Sequence, residues 1–340
     1  MDPDPSHPTI ADVADRAGVS TATVSRVING TGTVLPETAA RVKRAVARLG
    51  YVPQAAARNL AARKTNTIGL LLPDVTSDFY FPILRGIDGA ARQANLDLLI
   101  AINPLRGLKD IPLGRHNADG LLVYAGDFGA ADLQHLERLA RPGLPIVLLY
   151  HSAPEGSAFS SVLVENRSGA RQIVEHLITA HGRRRIAFLR GPQDNEDSHY
   201  RELGYRRALE VQGLDYDPAL IATGGFNEGL AAAAVEAWLK AGIAFDAVFA
   251  ADDESAAGAL AALKAAGLRV PQDVALVGFD DSPLARYLVP ALTTVRAPTE
   301  QVGREAVNSL LERIRSGQPG QTLLLPTELV MRQSCGCGRG

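Results

Sequence analysis

The chain has 340 residues, 46% of them apolar and 21% charged, which excludes disordered and collagen-like proteins and leaves room for two or three folding units with a sizeable core. Its net charge of −2 is unevenly divided, because residues 1 to 64 carry nine Lys/Arg against five Asp/Glu; a small basic head on an acidic body points to a polyanion partner. No apolar run reaches the ~18 residues that span a bilayer, and the opening Met-Asp-Pro-Asp-Pro lacks the basic-then-apolar order of a secretory signal, so a cytoplasmic protein is expected.

The head reads as three short helices. Thr9 and Asp12 form an N-cap pair opening a segment with Ile10, Val13, Ala14 and Ala17 at helical spacing, and Gly18 closes it. Gly18-Val19-Ser20 is then a turn whose serine caps a second helix, Thr21 to Asn29, buried through Val24, Val27 and Ile28. A third helix follows Pro36, with Val42, Ala45, Val46 and Leu49 inside and Gly50 at its end; Leu35 is a poor cap there. This is helix-turn-helix spacing.

From Thr67 the pattern changes to aliphatic runs followed by polar turns and amphipathic helices. Ile68 to Leu72, Leu96 to Ile102, Leu121 to Tyr124 and Ile146 to Tyr150 read as strands buried on both faces. A second set follows at Ile186 to Leu189, Leu220 to Ala222, Ala247 to Ala250 and Val274 to Phe279. Eight such strands split better into two doubly wound parallel-sheet subdomains than into one, giving an α/β fold with a boundary near Ser161 to Arg167. Helix Glu300 to Arg315 and an extended Leu323 to Met331 close the chain.

An enzyme would need reacting groups, and the sequence holds no Walker A loop, Gly-x-Gly-x-x-Gly, Gly-x-Ser-x-Gly elbow or His-Glu-x-x-His. No catalytic residue and no cofactor are expected. Nor is a metal, because His176 and His181 are five apart, off one helix face, while Cys335 and Cys337 read as two soft ligands on a flexible, reduced tail.

Doubly wound sheets place their ligands outside the carboxyl ends of the strands. There the sequence presents Asp74 with Ser77 and Asp78, Asn103, Tyr150, the loop Asp194 to Arg201, Phe226, and the pairs Asp252-Asp253 and Asp280-Asp281. Carboxylates accepting from neighbouring hydroxyls, a guanidinium fork and an aromatic wall suit a polyol. Asp246 and Asp273, just ahead of strands, read instead as turn formers.

These residues together resemble the lactose repressor type of bacterial transcription regulator, the LacI/GalR family. The head motif is Thr9-Ile10-Ala11-Asp12-Val13-Ala14 through Gly18 to Asn29, then Leu49-Gly50-Tyr51-Val52-Pro53 and Ala56 to Ala61. Body motifs are Gly69 to Asp74 with Phe79, Arg201 to Tyr205, Val277 to Asp281 and Leu292 to Arg296. The resemblance implies a helix-turn-helix head over residues 8–52, a hinge helix and linker over 53–65, and a two-lobed body of periplasmic-binding-protein type over 66–340. Lobe one would take about 66–163 and 296–326, lobe two about 164–295 and 327–340.

By that resemblance Thr21 and Ala22 begin the recognition helix, Arg26 reads a base edge and Asn29 supports a backbone contact. Leu60 would wedge into the minor groove of a palindromic operator bound by a homodimer; it is the one bulky apolar side chain among Ala55, Ala56, Ala57, Ala61 and Ala62. Effector residues carried over are Phe79, Asp197, Arg201, Phe226, Asp252 and Asp280, with a neutral sugar or polyol as ligand. Three departures stand out: Tyr150 and Asp252 replace the family's frequent Asp and Asn, and the link from Asn103 to Asp119 is short. No leucine heptads follow Met331, so no tetramer-forming tail is expected. The alternative, an exported solute-binding protein of a sugar transporter, shares the body but has no use for the basic head.

Overall fold

The computed structural model describes residues 8–30, 32–51, 64–102, 111–141, 143–318 and 320–338. The chain divides into two compact units at Thr65/Asn66. In the first unit, α1 (Ile10–Ala17) opens on a reciprocal capping box between Thr9 and Asp12 and ends on a left-handed Gly18. Helix α2 (Thr21–Asn29) is capped by Ser20, whose side chain accepts from the Thr23 N–H. Helix α3 (Pro36–Leu49) has Pro36 in its first turn, no side-chain cap at Leu35, and a left-handed Gly50 at its end. Val13, Ala14, Ala17, Val24, Val42 and Ala45 close a core that is small but continuous. Leu60 and the rest of residues 52–63 lie outside the described residues.

The second unit holds two parallel sheets. Strands β1 (Thr67–Leu72), β2 (Asp97–Ile102), β3 (Gly120–Tyr124), β4 (Ile146–Leu149), β5 (Ser160–Val164) and β11 (Thr322–Leu325) form one sheet in the order β11-β5-β4-β3-β1-β2. Helices α4 (Tyr80–Gln93), α5 (Ala130–Ala140) and α11 (Thr299–Ser316) accompany it. The other sheet runs β7-β6-β8-β9, from β6 (Ile186–Arg190), β7 (Ile221–Thr223), β8 (Ala247–Ala250) and β9 (Ala275–Val277). Around it lie α6 (Asn166–His181), α7 (Glu196–Val211), α8 (Glu228–Lys240), α9 (Asp253–Ala265) and α10 (Pro283–Tyr287).

Three sequence expectations need correction. Strand β2 is not buried on both faces: it is the outer strand of its sheet, and Leu99, Ile100 and Ile102 are 38%, 43% and 48% exposed. The extended run Leu323 to Met331 is two strands, with β11 parallel to β5 in the first sheet. Beyond Pro326, β12 (Glu328–Val330) pairs antiparallel with β10 (Thr294–Arg296). The cysteines are not on a loose tail, since Cys335 is fully buried and the neighbouring Ser334 both accepts from the Leu276 N–H and donates to the Leu276 carbonyl. No helix among the described residues is long and apolar enough to cross a membrane. Asp273 does close a local turn, accepting from the Arg269 N–H, whereas Asp246 is not a turn former: it accepts from the backbone N–H groups of the distant Arg184 and Arg185.

Candidate ligand cleft and nucleic-acid-reading helix

A cleft of ≈ 380 Å³ opens in the second unit, within the ~300–1,000 Å³ range of small-molecule sites. Phe79, Asp197, Arg201, Phe226, Asp252 and Asp280 all line it. Arg201 is its centre. One buried stripe of α7 carries Asp197, Arg201 and Tyr205 at i, i+4 and i+8, charged where it meets the cleft and apolar further on. The Arg201 guanidinium donates to Asn166 Oδ1 at 2.8 Å, the Ala251 carbonyl at 2.6 Å and Asp280 Oδ1 at 3.1 Å. Its carbon sits 3.8 Å from the Phe279 ring centroid, with Phe226 on another side at 5.7 Å.

The carboxylates have separate tasks. Asp252 caps α9, accepting from the Ser255 N–H, and also lines the cleft. Asp253 is held by the Thr294 hydroxyl and the Ser282 N–H at 2.6 and 2.7 Å. Asp281 turns away from Asp280: its side chain is only 1% exposed and binds Arg296 at 2.8 Å, with Arg332 as a second cationic partner. It is structural. Burial pushes the acids of Asp197 and Asp252 up to about 7, and those of Asp253 and Asp280 upward as well, against the pull of Arg201 or of hydrogen bonds. Desolvated carboxylates around one guanidinium disfavour a further anion.

The aromatic side is larger than the sequence suggests. Tyr80, Tyr124 and Tyr150 join Phe79, with ring centroids 5.2 to 5.6 Å apart along Phe79–Tyr80–Tyr124–Tyr150. Tyr80 and Tyr124 line the cleft but read in sequence as ordinary helix and strand residues. The buried Tyr150 hydroxyl and Ser282 Oγ have no hydrogen-bond partner, and buried groups of this kind are costly unless a ligand or water meets them. Phe226 takes a left-handed φ of 54°, which turns its ring over Gly191; a Cβ on Gly191 would stand 2.3 Å from that ring. Asn103 lies outside the described residues, and residues 111–119 of the short link contain no helix.

Hydrogen bonds also tie the two sides together. Ser77 donates to Glu254 at 2.5 Å, Asn195 donates to the Gly126 carbonyl and to Asp127 at 3.1 and 3.0 Å, and the Ser152 N–H donates to Glu196 at 2.6 Å. In the first unit, Thr21, Ala22 and Arg26 are exposed on α2 while Val24 is buried beneath them. Asn29 is the last residue of that helix. Arg16, Arg41, Arg44 and Arg48 add a cationic face across α1 and α3.

Residues 9–54 match the family model described as bacterial regulatory proteins, lacI family, and residues 174–335 match a periplasmic binding protein-like domain. The HTH-type transcriptional regulator CelR of Thermobifida fusca is 38% identical, over 96% of this chain and 98% of its own. Catabolite control protein A of Priestia megaterium is 32% identical over the same shares. The chain belongs to the LacI family. Among solved structures, a CelR–cellobiose complex has a TM-score of 0.72 at 35% identity, covering 96% of this chain and all of its own. A lac repressor dimer bound to operator and the anti-inducer ONPF has a TM-score of 0.81 at 26% identity, covering 97% and 99%. This LacI-family member is accordingly a transcriptional regulator, like its relatives, and not an enzyme. The exported-transporter reading fails because the similarity runs through the head as well as the body.

Proposed function

We propose that this regulator is a cytoplasmic repressor that binds a palindromic operator as a homodimer and is controlled by a neutral sugar or polyol seated in the cleft. The observation that carries the ligand class is the lining: one guanidinium, several buried carboxylates and an aromatic wall. Sugar hydroxyls donate to carboxylates and accept from an Arg fork, while the C–H face of a pyranose rests on aromatic rings. Of the five Arg201 N–H groups, three are engaged by Asn166, Ala251 and Asp280, and the other two serve the ligand. Ser282, on the lining, adds a hydroxyl in search of a partner. The cellobiose bound by CelR supports the class.

On the DNA side, Thr21 and Ala22 set base preference at the start of α2 and Arg26 forks onto guanine O6 and N7, with Asn29 supporting the backbone and Leu60 wedging the minor groove. Effector and operator prefer different lobe arrangements, so each changes the other's affinity. A thermal-shift screen of sugars, polyols and nucleosides, followed by a gel shift on a palindromic duplex with the hit, tests this. A sugar that raises the melting temperature and changes operator binding supports the reading; tight binding of a sugar phosphate overturns the ligand class.

A further inference from the structure

His176 lies in the last turns of α6 and His181 is its final residue, just before the left-handed Gly182. Five residues apart they would diverge on a long helix. At the helix end their rings instead meet edge to face, with centroids 4.9 Å apart and Nε2 atoms 3.1 Å apart. Cys337 Sγ stands 3.2 Å from each of those Nε2 atoms. Cys335, fully buried, completes the group, and all four ligand atoms lie within 4.8 Å of one another.

We propose that His176, His181, Cys335 and Cys337 form a tetrahedral zinc site that clamps the C-terminal segment onto α6. Two imidazoles and two thiolates are a structural zinc donor set, and ligands about 2.0–2.3 Å from one tetrahedral ion stand about 3.3–3.8 Å from each other. The observed separations approach that spacing. The donor set also balances charge, since two thiolates neutralise Zn²⁺ and the site adds no net charge to a half-buried place. Its soft sulfurs and its lack of carboxylates disfavour magnesium or calcium.

The chain around the site is shaped to it. Gly336 has φ 106°, closed to most side chains, and a Cβ there would sit 3.1 Å from His181 Nδ1, so the Cys-Gly-Cys order lets both sulfurs turn to the histidines. The Thr293 hydroxyl donates to Cys335 Sγ at 3.1 Å and the Cys337 N–H at 3.3 Å, holding that sulfur as an acceptor in the manner of outer-sphere partners at metal sites. The clamp joins α6 to a segment more than 150 residues away in sequence, and the ion would release two thiol protons on binding.

The test uses the full-length chain, purified under reductant through a tag without histidine. Plasma mass spectrometry should find about one zinc per chain. After stripping, Co²⁺ should give the visible bands of tetrahedral cobalt and a thiolate charge-transfer band, and the melting temperature should rise on zinc addition. His176→Gln/Cys337→Ser should lose the metal and the cobalt spectrum while its circular dichroism stays that of a folded body. Less than about a tenth of an equivalent of zinc, both as purified and after reconstitution, would overturn the site. So would a Cys335–Cys337 disulfide that persists under reductant, or full metal retention by the double variant. The wild-type metal and cobalt measurements decide the matter even if the variant does not fold.

Discussion

Ser77 Oγ, in the loop after β1, donates to Glu254 Oε1 in the first turn of α9 at 2.5 Å, so a hydroxyl beside one sheet is held by a carboxylate beside the other. Both residues line the cleft. Ser77→Ala should weaken effector binding about 2- to 10-fold, the worth of ~0.5–1.5 kcal/mol for one hydrogen bond, with little change in melting temperature. Calorimetric titration of both proteins checks this; equal affinities would mean that the bridge does not support the ligand site.

Arg201 and Asp280 should respond differently to substitution. Removing the guanidinium strands buried Asp197 and Asp280, so Arg201→Ala should cost ~3–5 kcal/mol of body stability as well as effector binding. Asp280→Asn keeps an acceptor oxygen and a residue type that tolerates its φ of 104°. It should lower effector affinity about tenfold or more, shift the melting temperature only slightly, and leave operator binding without effector unchanged. Denaturant unfolding beside effector titration separates the two outcomes.

The buried Asp197 gives a pH signature. Its folded-state acid is raised to about 7 by burial, above its unfolded value, so its contribution is fully present below the unfolded value and is lost as pH rises through about 7. Asp197→Asn carries no such charge. The variant should therefore gain on the wild type in melting temperature from about pH 4 to about pH 7, with the two nearly alike at the acid end and the gap constant above that window. A constant difference across that range would contradict the assignment.

Arg26 is exposed on α2, and the head carries an excess of cations. Arg26→Ala should cost ~1–3 kcal/mol of operator affinity and relax preference at one symmetric base position. Wild-type affinity should fall by ~10³–10⁵ between 50 and 200 mM salt if two heads neutralise ~6–10 phosphates. Gel shifts on single-base operator variants distinguish this from a phosphate contact, which would weaken every site alike.

Local signals made the head legible: the Thr9/Asp12 cap, Ser20, Pro36 and the terminal Gly18 and Gly50 sit at its helix boundaries. Aliphatic runs likewise marked β1, β3, β4, β6 and β8, and the family resemblance pointed to six residues that line one cleft. What stayed hidden depends on distance along the chain. Leu323 to Met331 reads as one extended piece because nothing local shows that Pro326 separates partners in two different sheets. The exposed face of β2 follows from its place at the sheet edge, which composition does not encode. Tyr80 and Tyr124 pass for core residues until the topology sets them beside Phe79. Spacing rules that dismissed His176 and His181 assume a continuing helix, and the cysteines beside them come from the far end of the sequence.

Control of transcription by a ligand requires that cleft and head be coupled. Anisotropy titration of a palindromic operator duplex with the full-length chain, with and without a saturating cleft ligand, measures this directly. Operator affinity should change by about 5- to 150-fold, and ligand affinity by an equal factor when operator is saturating. A ligand that fills the cleft yet leaves operator affinity unaltered, or a palindrome bound no tighter than random duplex, would contradict it.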